Sequence, residues 1–210
     1  MMCTMSRVHR TFAVAALAAA LLAATACAPP TPTKPGAPSE PSSSAAAPND
    51  EGSNPDYKDV GVTFGQDDAA TNYDKALVPD GAKLYVAEMV HDGLTTVVLD
   101  VRGLVPNHAY GAHAHAKPCG AKPEDAGPHF QHSPDPVKPS VDPNFANPQN
   151  EIWLDFTTDA KGNATRASTV DWTFGNTPAA SVVIHAEPTK TMVGQAGMAG
   201  ARAACVSVGF

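Results

Sequence analysis

Four histidines of this chain stand where imidazoles could be gathered into one centre. His113 and His115 form a His-x-His pair in Tyr110-Gly-Ala-His-Ala-His115. His129 lies in Ala126-Gly-Pro-His-Phe130, and His185 closes Ser181-Val-Val-Ile-His185. Alternate residues of a strand face the same side, so His113 and His115 can present two imidazoles together. The apolar run before His185 reads as a short buried strand, and an imidazole at its end needs partners for its polar nitrogens. One imidazole from a loop and one from a distant strand would then complete a set of four nitrogens. Nitrogen donors in a roughly planar array suit Cu(II) best among the common divalent metals. A single histidine is more often a satisfied core or surface residue than a ligand. Three separate segments, each placing histidine at a strand or turn position, carry the metal reading.

The elements that must position these residues are strands. Lys83 to Val90 and Thr95 to Val101 read as partners across a turn at His91-Asp92-Gly93. Ala109 to Ala116 carries the His-x-His pair. Glu151 to Thr158 reads as a strand ending in the turn Asp159 to Gly162. Asn163 to Thr169, Ala180 to Ala186 and Ala203 to Phe210 are further strands. Short strands punctuated by Gly, Pro and Asn imply an all-β sandwich or barrel. Cys119 to about Asn150 is a long Pro-rich stretch without periodicity, and a loop of that length inside a domain is usually functional. It holds His129.

The stretches Gly111 to His115, Ala126 to Phe130, Val182 to Glu187 and Gly197 to Cys205 together resemble the copper/zinc superoxide dismutase family, in its bacterial secreted form. The motifs occur in the family's order, and the resemblance covers residues 57–210. It implies a flattened Greek-key β-barrel, an immunoglobulin-like sandwich, with long loops carrying the metal site. It implies that His113, His115, His129 and His185 bind copper, that His129 also bridges to zinc, and that Arg202 guides superoxide to the metal. It implies a disulfide between Cys119 and Cys205. The expected function is a copper-dependent superoxide dismutase that converts superoxide to O2 and H2O2, with Arg202 and His129 as catalytic groups and His129 handing a proton to the reduced substrate. The alternative is a copper-binding or storage protein on the same fold, without fast turnover.

The chain departs from the family at the zinc site. The family uses two further histidines after the bridging one, together with an Asp. Here His132 is the only histidine between His129 and His185. Asp135, Asp142 and Glu151 are candidate oxygen ligands, yet carboxylates with one bridging His make an unusual zinc site. The segment from His185 to Cys205 is also short and lacks most of the family's electrostatic loop, including the Asp that links the two metal sites. The expectation is therefore copper, with zinc absent or degenerate. Glu151 falls near the position of the family's zinc Asp and is the candidate acceptor for the second ring nitrogen of His129. The competing reading is an exposed Glu opening a strand.

The N-terminus reads as an address. Arg7 and Arg10 precede an apolar run from Phe12 to about Ala24, too short to span a bilayer and suited to a signal peptide. Ala24-Thr25-Ala26-Cys27 resembles a lipoprotein processing box, which makes residues 1–26 a leader and Cys27 the lipidated residue. Residues 27–56 are rich in Pro, Ser and Ala and read as a flexible tether. Of the four cysteines, Cys3 leaves with the leader and Cys27 takes the lipid, leaving Cys119 and Cys205 in an oxidising compartment. The expected location is the cell envelope, on the outer face of the cytoplasmic membrane, with the lipid as the only membrane contact. A homodimer is compatible with the sequence.

The formal charge is −7, and loss of Arg7 and Arg10 takes it to −9. That balance argues against a nucleic-acid partner. It also repels an anionic substrate globally, so any steering must be local, from Arg202 and from Lys117, Lys122 and Lys190 near the motifs.

Overall fold

The computed structural model describes residues 57–210. The leader, Cys27 and the tether lie outside the described residues. Nine strands follow in chain order: β1 Tyr57–Thr63, β2 Ala70–Asn72, β3 Lys83–His91, β4 Leu94–Arg102, β5 Ala109–His115, β6 Phe156–Thr157, β7 Ala164–Val170, β8 Ser181–His185 and β9 Arg202–Ser207. They make two antiparallel sheets, one ordered β1-β3-β4-β7 and the other β2-β9-β8-β5-β6. The sheets share one core but are not closed into a continuous barrel by hydrogen bonds, so the architecture is the sandwich form of the expected fold.

The first sheet follows from simple alternation. Along β4, Thr95, Val97, Leu99 and Val101 are buried while the residues between them are more open. Leu84 and Val86 of β3 oppose Val101 and Leu99 on the same inner face. The β3–β4 hairpin turns on Asp92-Gly93, both with positive φ, the geometry that matches the twist of the flanking strands. The second sheet is different, because β5 is buried on both faces. Tyr110, Ala112 and Ala114 enter the shared core. Gly111, His113 and His115 face the other way and are buried too, because irregular segments cover that face.

The edge of β5 is occupied by pieces of one long excursion. His129 bridges to His115, Trp153 bridges to His113, and β6 pairs with Ala109 and Tyr110. The segment expected as one strand over Glu151–Thr158 is thus a single bridge at Trp153 followed by a two-residue strand. It shares the β5 edge with the His129 segment instead of running straight. Two strands escape the sequence patterns. In β1 only Val62 is buried, since it is an edge strand interrupted by Gly61, and β2 has just three residues.

Cys119 and Cys205 are joined by a disulfide across 86 positions. Closing a loop of that length contributes about 4 kcal/mol in the chain-entropy account. The bond ties the start of the long loop to β9, over a small cluster of Ala126, Val183 and Cys205.

Candidate metal centre

Register places the ligands. In the β5–β8 ladder His115 lies opposite Ser181, His113 opposite Val183 and Gly111 opposite His185. Opposed residues of an antiparallel pair share a face, so His113, His115 and His185 all project from the covered side of the sheet. The loop bridge at His115 adds His129 to the same place. One nitrogen from each of the four imidazoles falls within 4.8 Å of the others. His113 and His115 are fully buried, and His185 is 4% exposed.

The other nitrogens are mostly accounted for. His115 Nδ1 is 3.0 Å from the Gly127 carbonyl, and its Nε2 faces His185 Nε2 at 3.4 Å. His113 Nε2 is 2.7 Å from Thr189 Oγ1, which leaves Nδ1 buried without a partner. His129 Nδ1 donates to Glu151 Oε2 at 2.8 Å, which leaves Nε2. His185 Nδ1 is also unpartnered, the nearby Gly200 carbonyl standing outside hydrogen-bond geometry. Burial, with the neighbouring imidazoles and Arg202 adding to it, holds His113 and His115 well below the ordinary histidine range and pushes His185 down to about 3. These three rings are neutral at neutral pH and offer lone pairs. Convergent nitrogen lone pairs with an orphaned buried acceptor fit a metal ion, and an all-imidazole donor set suits copper or zinc.

Glu151 is 1% exposed and lies beneath this cluster rather than on the surface. Its Oε2 accepts from His129 and from Trp153 Nε1 at 2.7 Å, and its Oε1 accepts from Gln131 Nε2 at 2.8 Å. The Trp153 ring stands edge-on to His113 with centroids 5.7 Å apart. Gln131 Nε2 also donates to Ser140 Oγ, and Ser140 donates to Asp135, so the Pro-rich loop is tied to Glu151 through side chains. Asp135 and Asp142, the other candidate oxygen ligands, accept backbone N–H groups of their own loop. His132 stacks flat on Trp172 at 4.9 Å and does not join the cluster. Gln131, Trp153, Thr189 and Asp155 carried no recognisable spacing in the sequence.

Arg202 reaches the site through a β-bulge. The β8–β9 register slips between Ile184 and His185, so that Arg202, not Ala203, opposes His185. A bulge re-aims the side chains beyond it. Ala203 and Ala204 both enter the core, and Arg202 turns to the metal face. Its guanidinium donates to the carbonyls of Pro123 and Gly127, each at 2.6 Å. Partial burial lowers its pKa, yet a guanidinium stays charged at any working pH. Arg202, His129, Glu151, Lys138, Val141 and Met198 line one open cleft of about 660 Å³. Lys138 is the lysine in its wall; Lys117, Lys122 and Lys190 are not among the lining residues, and Lys190 lies 3.7 Å from Glu187.

Comparison with known proteins agrees with this geometry. Residues 83–208 match the family model for copper/zinc superoxide dismutase. The structure resembles the Cu/Zn superoxide dismutase from Brucella abortus, with a TM-score of 0.50 at 17% identity over 72% of this chain and all of that one. That likeness speaks for the fold alone. A superoxide dismutase-like protein from Bacillus subtilis gives a TM-score of 0.45 at 17% identity over 60% of this chain and 89% of that one, and a mutant of it is similar at 0.47 and 16%, over 60% and 88%. No curated protein matches the sequence. With the family model spanning more than half its length and the strands, disulfide and histidine cluster in place, the chain belongs to the copper/zinc superoxide dismutase family.

Proposed function

We propose that this protein is a copper-dependent superoxide dismutase acting outside the cytoplasmic membrane. One observation carries the reading: four imidazoles converge, and the nitrogens that face away from the centre are largely bound to acceptors or to Thr189. Bound there, copper would supply the one-electron oxidation and reduction that turn two superoxide anions and two protons into O2 and H2O2. His113, His115 and His185 form the buried base of the site. His129 is the ring that lines the open cleft. Its Nδ1–H is held by Glu151, so Nε2 is the atom that takes a proton from solvent and passes it to the reduced substrate. Arg202 puts a fixed positive charge on the wall of the same cleft, where an incoming anion meets it.

The test is the dismutation rate of the purified protein loaded with Cu(II) and no zinc. A second-order rate near the diffusional ceiling of about 10⁹ M⁻¹s⁻¹ is expected. Arg202→Ala loaded in the same way should be slower, with a flatter dependence on ionic strength. Tightly held copper with a rate orders of magnitude below that ceiling would leave a copper-storage protein instead.

The extracytoplasmic location is supported by the apolar leader, by Cys27 behind Ala24-Thr25-Ala26, and by the disulfide, which persists in oxidising compartments. Cys27→Ser should move the protein from the membrane fraction to the soluble one. Unchanged membrane retention would reject the lipid anchor.

A further inference from the structure

The orientation of His113 depends on two residues outside every motif. Its Nε2 lies 2.7 Å from Thr189 Oγ1. Thr189 Oγ1 in turn lies 2.7 Å from Asp155 Oδ1, and the Thr189 backbone N–H donates to Asp155 Oδ2 at 2.8 Å. Asp155 Oδ1 also accepts the Ala112 N–H at 3.2 Å, so the carboxylate is anchored on β5 beside the ligand it serves.

Proton counting decides the direction. An ionised carboxylate only accepts, and a hydroxyl has one proton to give. Thr189 therefore donates to Asp155 and accepts from His113. The imidazole proton must sit on Nε2, and Nδ1 must carry the lone pair. Nδ1 is the buried atom without a partner. An orphaned buried acceptor is costly unless something fills it, and His113 is one of the four clustered histidines.

We propose that Asp155 and Thr189 are positioning residues that fix His113 as an Nδ1 ligand and, through the hydroxyl, lend it the carboxylate's negative charge. Such outer partners orient a metal-bound imidazole and raise its basicity. The extra basicity favours the more highly charged copper, so the pair holds Cu(II) more firmly than Cu(I). The inference rests on the copper reading of the four-histidine cluster. It assigns a role to a Thr and an Asp 34 positions apart that no spacing suggested.

Two experiments test it. The first needs no variant. Nitrogen NMR of the metal-free protein should find His113 as the Nε2–H tautomer, and an Nδ1–H tautomer overturns the proposal. The second compares Cu(II) and Cu(I) affinities, measured by competition, in the full chain. Thr189→Val and Asp155→Asn should weaken Cu(II) binding by about 10–100-fold and Cu(I) binding less, while Thr189→Ser restores wild-type behaviour. Equal losses for both oxidation states, or equal losses in Thr189→Val and Thr189→Ser, would mean that the pair merely pins a loop, and the positioning role falls. Wild-type protein that holds no Cu(II) overturns the copper reading and this proposal with it. Wild-type binding with an unchanged Thr189→Val overturns the positioning role alone.

Discussion

Glu151 receives three hydrogen bonds and gives none, at a depth where a carboxylate needs every one of them. It is held rigid by Gln131 and Trp153, so the third bond, from His129, fixes a ring direction as well as a proton position. Glu151→Gln keeps the shape and removes the charge. The amide should lower Cu(II) affinity by about 10–100-fold, read by competitive titration, and an unchanged affinity would show that His129 needs no anion behind it. At this scale the sequence was legible where chemistry is concentrated in residue type. Histidine is rare and two of them at alternate strand positions speak for themselves. Glu151 was readable as a candidate only through its place in the chain, and its burial was not readable at all. Gln131, Thr189 and Asp155 are ordinary residue types, and Trp153, though a rare one, stands at no recognisable spacing from the histidines. Gln131 lies 20 positions from Glu151, and Thr189 lies 34 from Asp155, so only the folded chain brings them together.

Among the elements, β5 carries the most constraint, because it has a core on one face and the histidine cluster on the other. Small residues make this workable. Ala112 and Ala114 let the core approach, and Gly111 lets the return segment approach from the other side. A Cβ on Gly111 would stand 2.6 Å from Ala199 Cβ and 2.8 Å from the Glu187 carbonyl oxygen. The Glu187 carbonyl is itself bound to the Gly111 N–H, so it has little room to retreat. Gly111→Ala should cost about 1–3 kcal/mol as an overpacked site, read by urea unfolding, and should disturb the segment that carries Thr189. A variant of wild-type stability would show that this segment is free to shift. Strands β3, β4 and β7 of the first sheet were visible because one of their faces is wet, whereas β1 at its edge was not. The ends of β5 and β8 were visible because histidines mark them. The shared edge of β5 was not, since two segments separated by a long loop take turns along it. The bulge that re-aims Arg202 was equally hidden, being a one-residue slip between Ile184 and His185.

For the molecule as a whole, a formal charge of −7 coexists with a cleft walled by Arg202 and Lys138, so attraction of an anion is a property of one face and not of the surface at large. The buried imidazoles also couple the whole fold to pH. In the unfolded chain a histidine takes a proton near 6.5, whereas His113 and His115 in the fold resist it far lower and His185 does so until about 3. Below about pH 6.5 the unfolded state therefore binds more protons. The stability of the metal-free protein should be complete above that pH and fall steadily as the pH drops towards 3, which thermal unfolding across the range will show. A flat profile would mean that these rings are open to solvent without copper. The clustered histidines also come from separate parts of the chain, with His113 and His115 on β5, His129 in the loop that follows, His185 on β8, and the closing cysteine on the final strand. No partial chain can assemble such a site, and contacts this distant in sequence form late. Timing follows from that. On the proposed extracytoplasmic location, a polypeptide threaded unfolded through a membrane would have nowhere to keep an ion on the way, and its metal would be taken up at the destination, after the last strand has docked.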